Sequence, residues 1–126
     1  MCKRGDIYLA DLPKIPNSKI QYGVRPILII ANDKATEFSP TFQYIPITSK
    51  IKREDLPIHV VLSSGDLKEV SMVLGEQINL IDKDRLKDKI GTVSEDDMFK
   101  IDLAATKQLG INVYDLVKKL RLQRAC

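Results

Sequence analysis

The stretch that decides the fold is Gly23-Val24-Arg25-Pro26-Ile27-Leu28-Ile29-Ile30-Ala31-Asn32-Asp33. Ile27 to Ile30 form an unbroken β-branched and leucine run, which predicts a strand buried on both faces. Pro26 has no N–H for a sheet ladder, so it is expected at the first residue of that strand. Gly23 can take a positive φ and lets the chain turn sharply just before Arg25. Asn32-Asp33 supply a closing turn. Arg25 is thereby held at a strand mouth with its guanidinium facing solvent. That group is a permanently charged planar fork whose donors match phosphate oxygens. From residue types alone, a phosphate site and a surface ion pair both remain open.

Outward from this strand the chain alternates short apolar segments with turn signals. Upstream, Lys3 to Leu12 predicts a half-buried strand, with Ile7, Leu9 and Ala10 or Leu12 inward and Pro13 ending the pairing. Pro13 to Tyr22 reads as an exposed loop of about ten residues, longer than most hairpin connections. Because it leads into Arg25, it reads equally as a binding loop or as a surface excursion. Downstream, Asp33 to Thr41 is polar and ends in the turn signal Ser39-Pro40-Thr41. Phe42 to Thr48 alternates as a strand, in which Pro46 predicts an edge or a bulge. Ser49 to Pro57 is a charged loop, Ile58 to Leu62 a short strand, Ser63 to Asp66 a turn, and Val70 to Ile81 one further strand. Five or six short strands of this kind predict a small β-barrel or sandwich.

The end of the chain changes period. Ser94 is an N-cap followed by Glu95, Asp96 and Asp97, which suit the positive end of a helix. Met98, Ile101, Leu103 to Ala105 and Leu109 follow at helical spacing, with Gly110 as its C-terminal stop. Val113, Leu116, Val117 and Leu120 then restart a stripe whose outer face carries Lys118, Lys119, Arg121 and Arg124. This tail reads as a short packing helix with a solvated basic face, the alternative being a surface for RNA or another polyanion. The predicted class is mainly β with α: a small β-barrel or sandwich plus a C-terminal helix.

Bulk composition narrows the function classes. The 126 residues are 44% hydrophobic and 29% charged, as expected for one domain with a real core. No apolar run is long enough to span a bilayer, and no signal peptide follows Met1. Cys2 and Cys126 are the only cysteines, too few for a disulfide framework, so a cytoplasmic setting is expected. A net charge of +3 permits a polyanionic partner without requiring one. With one histidine and no metal-ligand spacing, neither a metal nor another cofactor is expected.

Taken together, several segments resemble one family, the MazF/PemK toxins of bacterial toxin–antitoxin pairs. The resemblance is carried by Lys3-Arg4-Gly5-Asp6-Ile7-Tyr8, Gly23-Val24-Arg25-Pro26 with Asn32-Asp33, and Ile47-Thr48. It continues through Leu56-Pro57-x-His59-Val60, Glu76-Gln77-Ile78 with Ile81-Asp82, and the helix that follows. These run in family order over roughly residues 3 to 109 and are most similar to toxins of Gram-positive bacteria. The resemblance implies an SH3-like, CcdB-like barrel over residues 1–110, with residues 111–126 as a helical extension of the same domain. It implies a homodimer that cleaves single-stranded RNA without a metal and is silenced by a cognate antitoxin bearing a disordered acidic segment.

The same resemblance makes Arg25 and Thr48 the catalytic pair. It places Lys19, Gln21, Tyr22, Pro26, Ser49, Lys50, Lys52, His59, Glu76 and Gln77 along the RNA. The chemistry suits both catalytic assignments. Attack of a 2′-hydroxyl on phosphorus builds negative charge that a guanidinium can stabilise. Electrostatics licenses that role for Arg25; the resemblance also implies an acid/base role, to which a permanently charged guanidinium is poorly suited. Thr48 can donate its hydroxyl to a non-bridging oxygen. His59 is the rival base, being the one side chain that ordinarily titrates near neutrality, but it has no second histidine to work with. Tyr22 can stack a base or cover the barrel end, and Glu76 and Gln77 can read base edges or face solvent.

The chain departs from the family in the loop before Gly23. The family reads Gly-Ser-Glu-Gln-x-Gly, whereas this chain has Ser18-Lys19-Ile20-Gln21-Tyr22-Gly23, without the carboxylate. The RNA sequence that is cut is therefore expected to differ. Two other readings stay open. One is a protein-binding toxin like the CcdB gyrase poisons, which act through a Trp-containing C-terminal tripeptide; this chain has no Trp and ends Arg124-Ala125-Cys126. The other is a barrel that binds RNA without cutting it.

Overall fold

A computed structural model describes residues 2–125. The elements are β1 (Asp6–Leu12), β2 (Gly23–Ile29), α1 (Asp33–Phe38), β3 (Thr41–Thr48), β4 (His59–Val61), β5 (Met72–Leu74), β6 (Asn79–Asp82), β7 (Leu86–Thr92), α2 (Glu95–Gln108) and α3 (Val113–Ala125). A 3-10 turn at Lys83–Arg85 links β6 to β7. The seven strands form an antiparallel sheet in the order β4-β5-β3-β2-β1-β7, with β6 joining β3 beside β5. Among the described residues no ladder joins β4 to β7, so the barrel is partly open.

The apolar run sits at the centre of this sheet. Leu28 pairs with Ile7 on one side and Ile45 on the other. All three are fully buried in one core cluster, beneath Ile101 and Ala104 of α2. Ile27 and Ile29 point the opposite way, into a second cluster with Ala10, Leu12, Phe42, Tyr44 and Ile81. Both faces of β2 are therefore covered, as a strand without polar alternation requires. Two cores also explain why Ile7 and Leu12 are each buried although they lie on opposite faces of β1.

The prolines are placed differently from the sequence expectation. Pro26 is the fourth residue of β2, not the first, and pairs with Leu9 of β1. It is tolerated because β3 joins β2 only from Ile27 onward, leaving the other edge of residues 23–26 unpaired. Pro46 lies inside β3, which is not an edge strand. On its far side β3 pairs with β6 up to Tyr44 and with β5 from Ile47, so Pro46 occupies the gap between them.

Three further expectations are corrected. Asn32-Asp33 do not close a turn but start α1, with Asn32 Oδ1 accepting from the Ala35 N–H at 3.0 Å. Asn32→Ala should cost about 1 kcal/mol in urea unfolding, the usual loss for an N-cap. Val70 to Ile81 is two strands, because Gly75-Glu76-Gln77 turn the chain between β5 and β6. β7 has no counterpart in the sequence reading.

The C-terminal helices divide sharply. α2 begins at the Ser94 cap, whose Oγ accepts from the Asp97 N–H at 3.1 Å. It ends with Ile111 N–H donating to Thr106 O at 2.9 Å and Gly110 N–H to Lys107 O at 3.2 Å, Gly110 having φ +69. That paired closure of the last carbonyls needs a left-handed residue where Gly110 stands. α3 is capped by Asn112 but does not pack as expected: Val113, Leu116, Val117 and Leu120 are all exposed. Cys2 is buried; Met1 and Cys126 lie outside the described residues.

Candidate active site

Arg25 and Thr48 meet at one cleft. It has a volume of about 310 Å³ and is lined by these two with Pro26, Ser49, Lys68, Glu69 and Ser71. β2 delivers Arg25 from its unpaired edge, and β3 ends at Thr48. Register does the rest: Thr48 pairs with Met72, which sets Ser71 and the loop before it against the cleft.

The two side chains are held in complementary ways. Arg25 Nε donates to the Tyr22 carbonyl at 2.7 Å. Among the described residues no side-chain hydrogen bond engages its Nη atoms, so they face the cleft with their donors free. Thr48 is buried, and its Oγ1 accepts from the Lys50 N–H at 3.1 Å. With that lone pair filled, the hydroxyl proton remains to be given to an incoming acceptor. A fixed guanidinium beside a hydroxyl donor is suited to an anionic tetrahedral group.

Other residues that the resemblance places along the RNA are joined in pairs. Gln77 Oε1 accepts from the Gln21 N–H at 3.0 Å. Glu76 Oε2 lies 2.5 Å from His59 Nε2. His59 Nδ1 donates to Arg53 O at 2.9 Å, with Lys52 O at 3.2 Å. His59 is thus engaged at both nitrogens, and it lines a different cleft, with Glu54, Pro57, Lys100 and Leu103. Tyr22 is exposed, and Lys14 lies over its ring at 4.9 Å from the centroid. Lys19, Lys50 and Lys52 are exposed. Arg53 is tied to Asp55, Nε to Oδ1 at 3.1 Å and Nη2 to Oδ2 at 3.3 Å, and these hydrogen bonds hold the Asp55 carboxyl below its ordinary value. Among the described residues no three His, Cys, Asp or Glu side chains gather as metal ligands.

Residues 3–109 match the family described as PemK-like, MazF-like toxin of type II toxin–antitoxin system. The chain belongs to that family. It is also 42% identical over 117 residues to "Endoribonuclease MazF" of Staphylococcus epidermidis, a match covering 91% of this chain and 97% of the relative. Among solved structures it is similar to an endoribonuclease from Mycobacterial species in complex with its cognate antitoxin, at TM-score 0.75 and 27% identity over 89% of this chain and 98% of that one. Its fold also matches MazF from Deinococcus radiodurans, at TM-score 0.73 and 21% identity over 86% and 96%.

Within this toxin the sequence reading missed Lys68, Glu69 and Ser71 at the cleft. They lie some twenty residues from Thr48 in the chain, and only the β3–β5 register brings them there. No local signal marks them. Lys14 was missed for a different reason: a lone lysine in a polar loop has many uses, and its seat over Tyr22 depends on the loop's return.

Proposed function

We propose that this toxin cleaves single-stranded RNA at the Arg25–Thr48 cleft by metal-independent attack of the 2′-hydroxyl. The observation carrying this reading is the shared cleft, with free Nη donors on one wall and a free hydroxyl proton on the other. Bond O2′–P forms and bond P–O5′ breaks, leaving a 2′,3′-cyclic phosphate and a 5′-hydroxyl; the proton lost at O2′ balances the one gained at O5′. Arg25 stabilises the charge that develops on the phosphoryl oxygens. Thr48 donates to one of them. Pro26 and Ser49 border the scissile phosphate, Lys50 and Lys52 follow the backbone, and Tyr22 offers the ring face away from Lys14 to a base. Gln21 and Gln77, joined by a hydrogen bond, adjoin the cleft, and Lys19, His59 and Glu76 extend the RNA path beyond it.

The working form is a cytoplasmic homodimer, and its partner is a cognate antitoxin whose disordered acidic segment folds over the RNA groove. A net charge of +3 favours such a segment, and the mycobacterial relative is described in complex with its cognate antitoxin. The test is cleavage of a mixed single-stranded RNA in EDTA by the purified dimer, with the product ends mapped. Cyclic phosphate ends at a recurring short sequence are expected. No cleavage by folded, antitoxin-free protein across diverse sequences would overturn the reading.

A further inference from the structure

The turn between β5 and β6 touches two other loops, and its two polar side chains make the joints. Gln77 Oε1 accepts from the Gln21 N–H at 3.0 Å, and the carbonyl of the next residue, Tyr22, accepts from Arg25 Nε at 2.7 Å. Glu76 reaches His59, whose ring holds the carbonyl of Arg53. The turn is itself fixed. Gln77 N–H donates to Leu74 O at 2.9 Å, and Gly75 N–H donates to Ile58 O at 2.9 Å. A Cβ at Gly75 would lie 2.3 Å from Ile58 O, so only glycine allows that approach.

The loop of residues 13–22 has little else to hold it. Apart from the Tyr22–Arg25 bond, its other hydrogen bonds among the described residues are internal, Ser18 N–H to Ile15 O at 3.2 Å and Ile20 N–H to Ser18 Oγ at 3.1 Å. Among the described residues, Gln77 makes the one hydrogen bond from this loop to a distant segment. Gly23 follows at φ +86, a glycine joint between the Tyr22 carbonyl and the strand that carries Arg25.

We propose that Gln77 is a positioning residue for RNA cleavage: its side-chain carbonyl fixes the backbone at Gln21, and through it the carbonyl of the next residue, Tyr22, which aims the Arg25 guanidinium into the cleft shared with Thr48. This rests on Arg25 being the catalytic arginine. A backbone N–H can be met only by the amide oxygen, so the orientation of Gln77 is determined; among the described residues its NH2 makes no hydrogen bond. Released, the loop lets the Tyr22 carbonyl wander and the guanidinium with it. A misplacement near 1 Å can cost on the order of 10²-fold in rate.

The experiment compares kcat and KM on one mapped RNA for the wild type, Gln77→Glu and Gln77→Leu. It adds the exchange rate of the Arg25 Nε proton in RNA-free protein by NMR. Glutamate keeps an acceptor at the same reach but loses both amide donors; leucine keeps neither. Gln77→Leu is expected to lower kcat about 10-fold or more at unchanged melting temperature, with fast exchange at Arg25 Nε. Gln77→Glu is expected to lose clearly less kcat than Gln77→Leu and to keep that proton protected, whatever happens to KM or base preference. Wild-type kcat in Gln77→Leu, with only KM or the cut sequence altered, would reduce Gln77 to a base reader and overturn the proposal. Equal loss of kcat in both variants would overturn it too, since the amide donors would then be what matters. If the wild type cuts no RNA, the catalytic reading fails instead, and Arg25 Nε exchange still decides whether Gln77 holds the loop.

Discussion

Arg25→Ala is expected to lower kcat/KM for RNA cleavage by at least about 10²-fold, the usual loss when one preorganised donor to a developing oxyanion is removed. Arg25 presents its Nη pair together, so the loss should fall toward the upper end of that range. Arg25→Lys should recover only part of it, because an ammonium keeps the charge but not the planar fork. Stability should hardly move: the side chain is partly exposed and gives up one hydrogen bond, to Tyr22 O. A melt within a few degrees of wild type, beside a collapsed rate, separates chemistry from folding. Thr48→Val, which removes the hydroxyl and keeps the shape, should cost less and leave the Lys50 N–H without its acceptor. An Arg25→Ala protein that still cuts at wild-type rate would remove the guanidinium from the mechanism.

The sequence was legible where one residue carried its own physical constraint. Ile27 to Ile29 are buried on both faces because nothing polar interrupts them. Ser94 and Gly110 mark the two ends of α2 because a cap and a left-handed stop are local needs. Legibility failed where an element's reason lay elsewhere in the chain. β7 reads Leu-Lys-Asp-Lys-Ile-Gly-Thr, largely charged and exposed, and it is a strand because β1 offers an edge, with register shifts on the way. Pro26 and Pro46 break the strand rule only because their neighbours start or stop pairing beside them. In sequence the Asn32 cap reads as a turn, since the same side-chain hydrogen bond serves both. At the cleft, family resemblance and the chemistry of phosphate point to Arg25 and Thr48. The wall formed by Lys68, Glu69 and Ser71 needed the sheet register.

Asp97 is the sharpest example of a residue whose part is invisible in sequence, where it looks like one more acid in a first helical turn. It is fully buried and accepts from Ser63 N–H at 3.0 Å, Ser63 Oγ at 2.9 Å and Ser64 Oγ at 2.5 Å. It therefore clamps the start of α2 to the loop that runs on to Lys68, Glu69 and Ser71. Burial pushes its pKa up, but the hydrogen bonds from Ser64 and Ser63, with the charge of Lys100, outweigh that and hold the carboxyl below its ordinary value. Asp97→Ala leaves those donors unmet in a dry site and should cost about 2–4 kcal/mol, a drop in Tm of roughly 10 °C. Asp97→Asn fills the same space without the charge, so its deficit should depend on pH. As pH falls, the unfolded chain protonates this group before the folded one does, so the wild-type advantage is whole at neutral pH. It shrinks as pH drops below the ordinary carboxylate value and through the lowered one. Urea unfolding of both proteins at pH 7 and at successively lower pH reads this directly. A gap between them that stays constant into acid would mean that packing, not the buried charge, gives Asp97 its hold on the cleft wall.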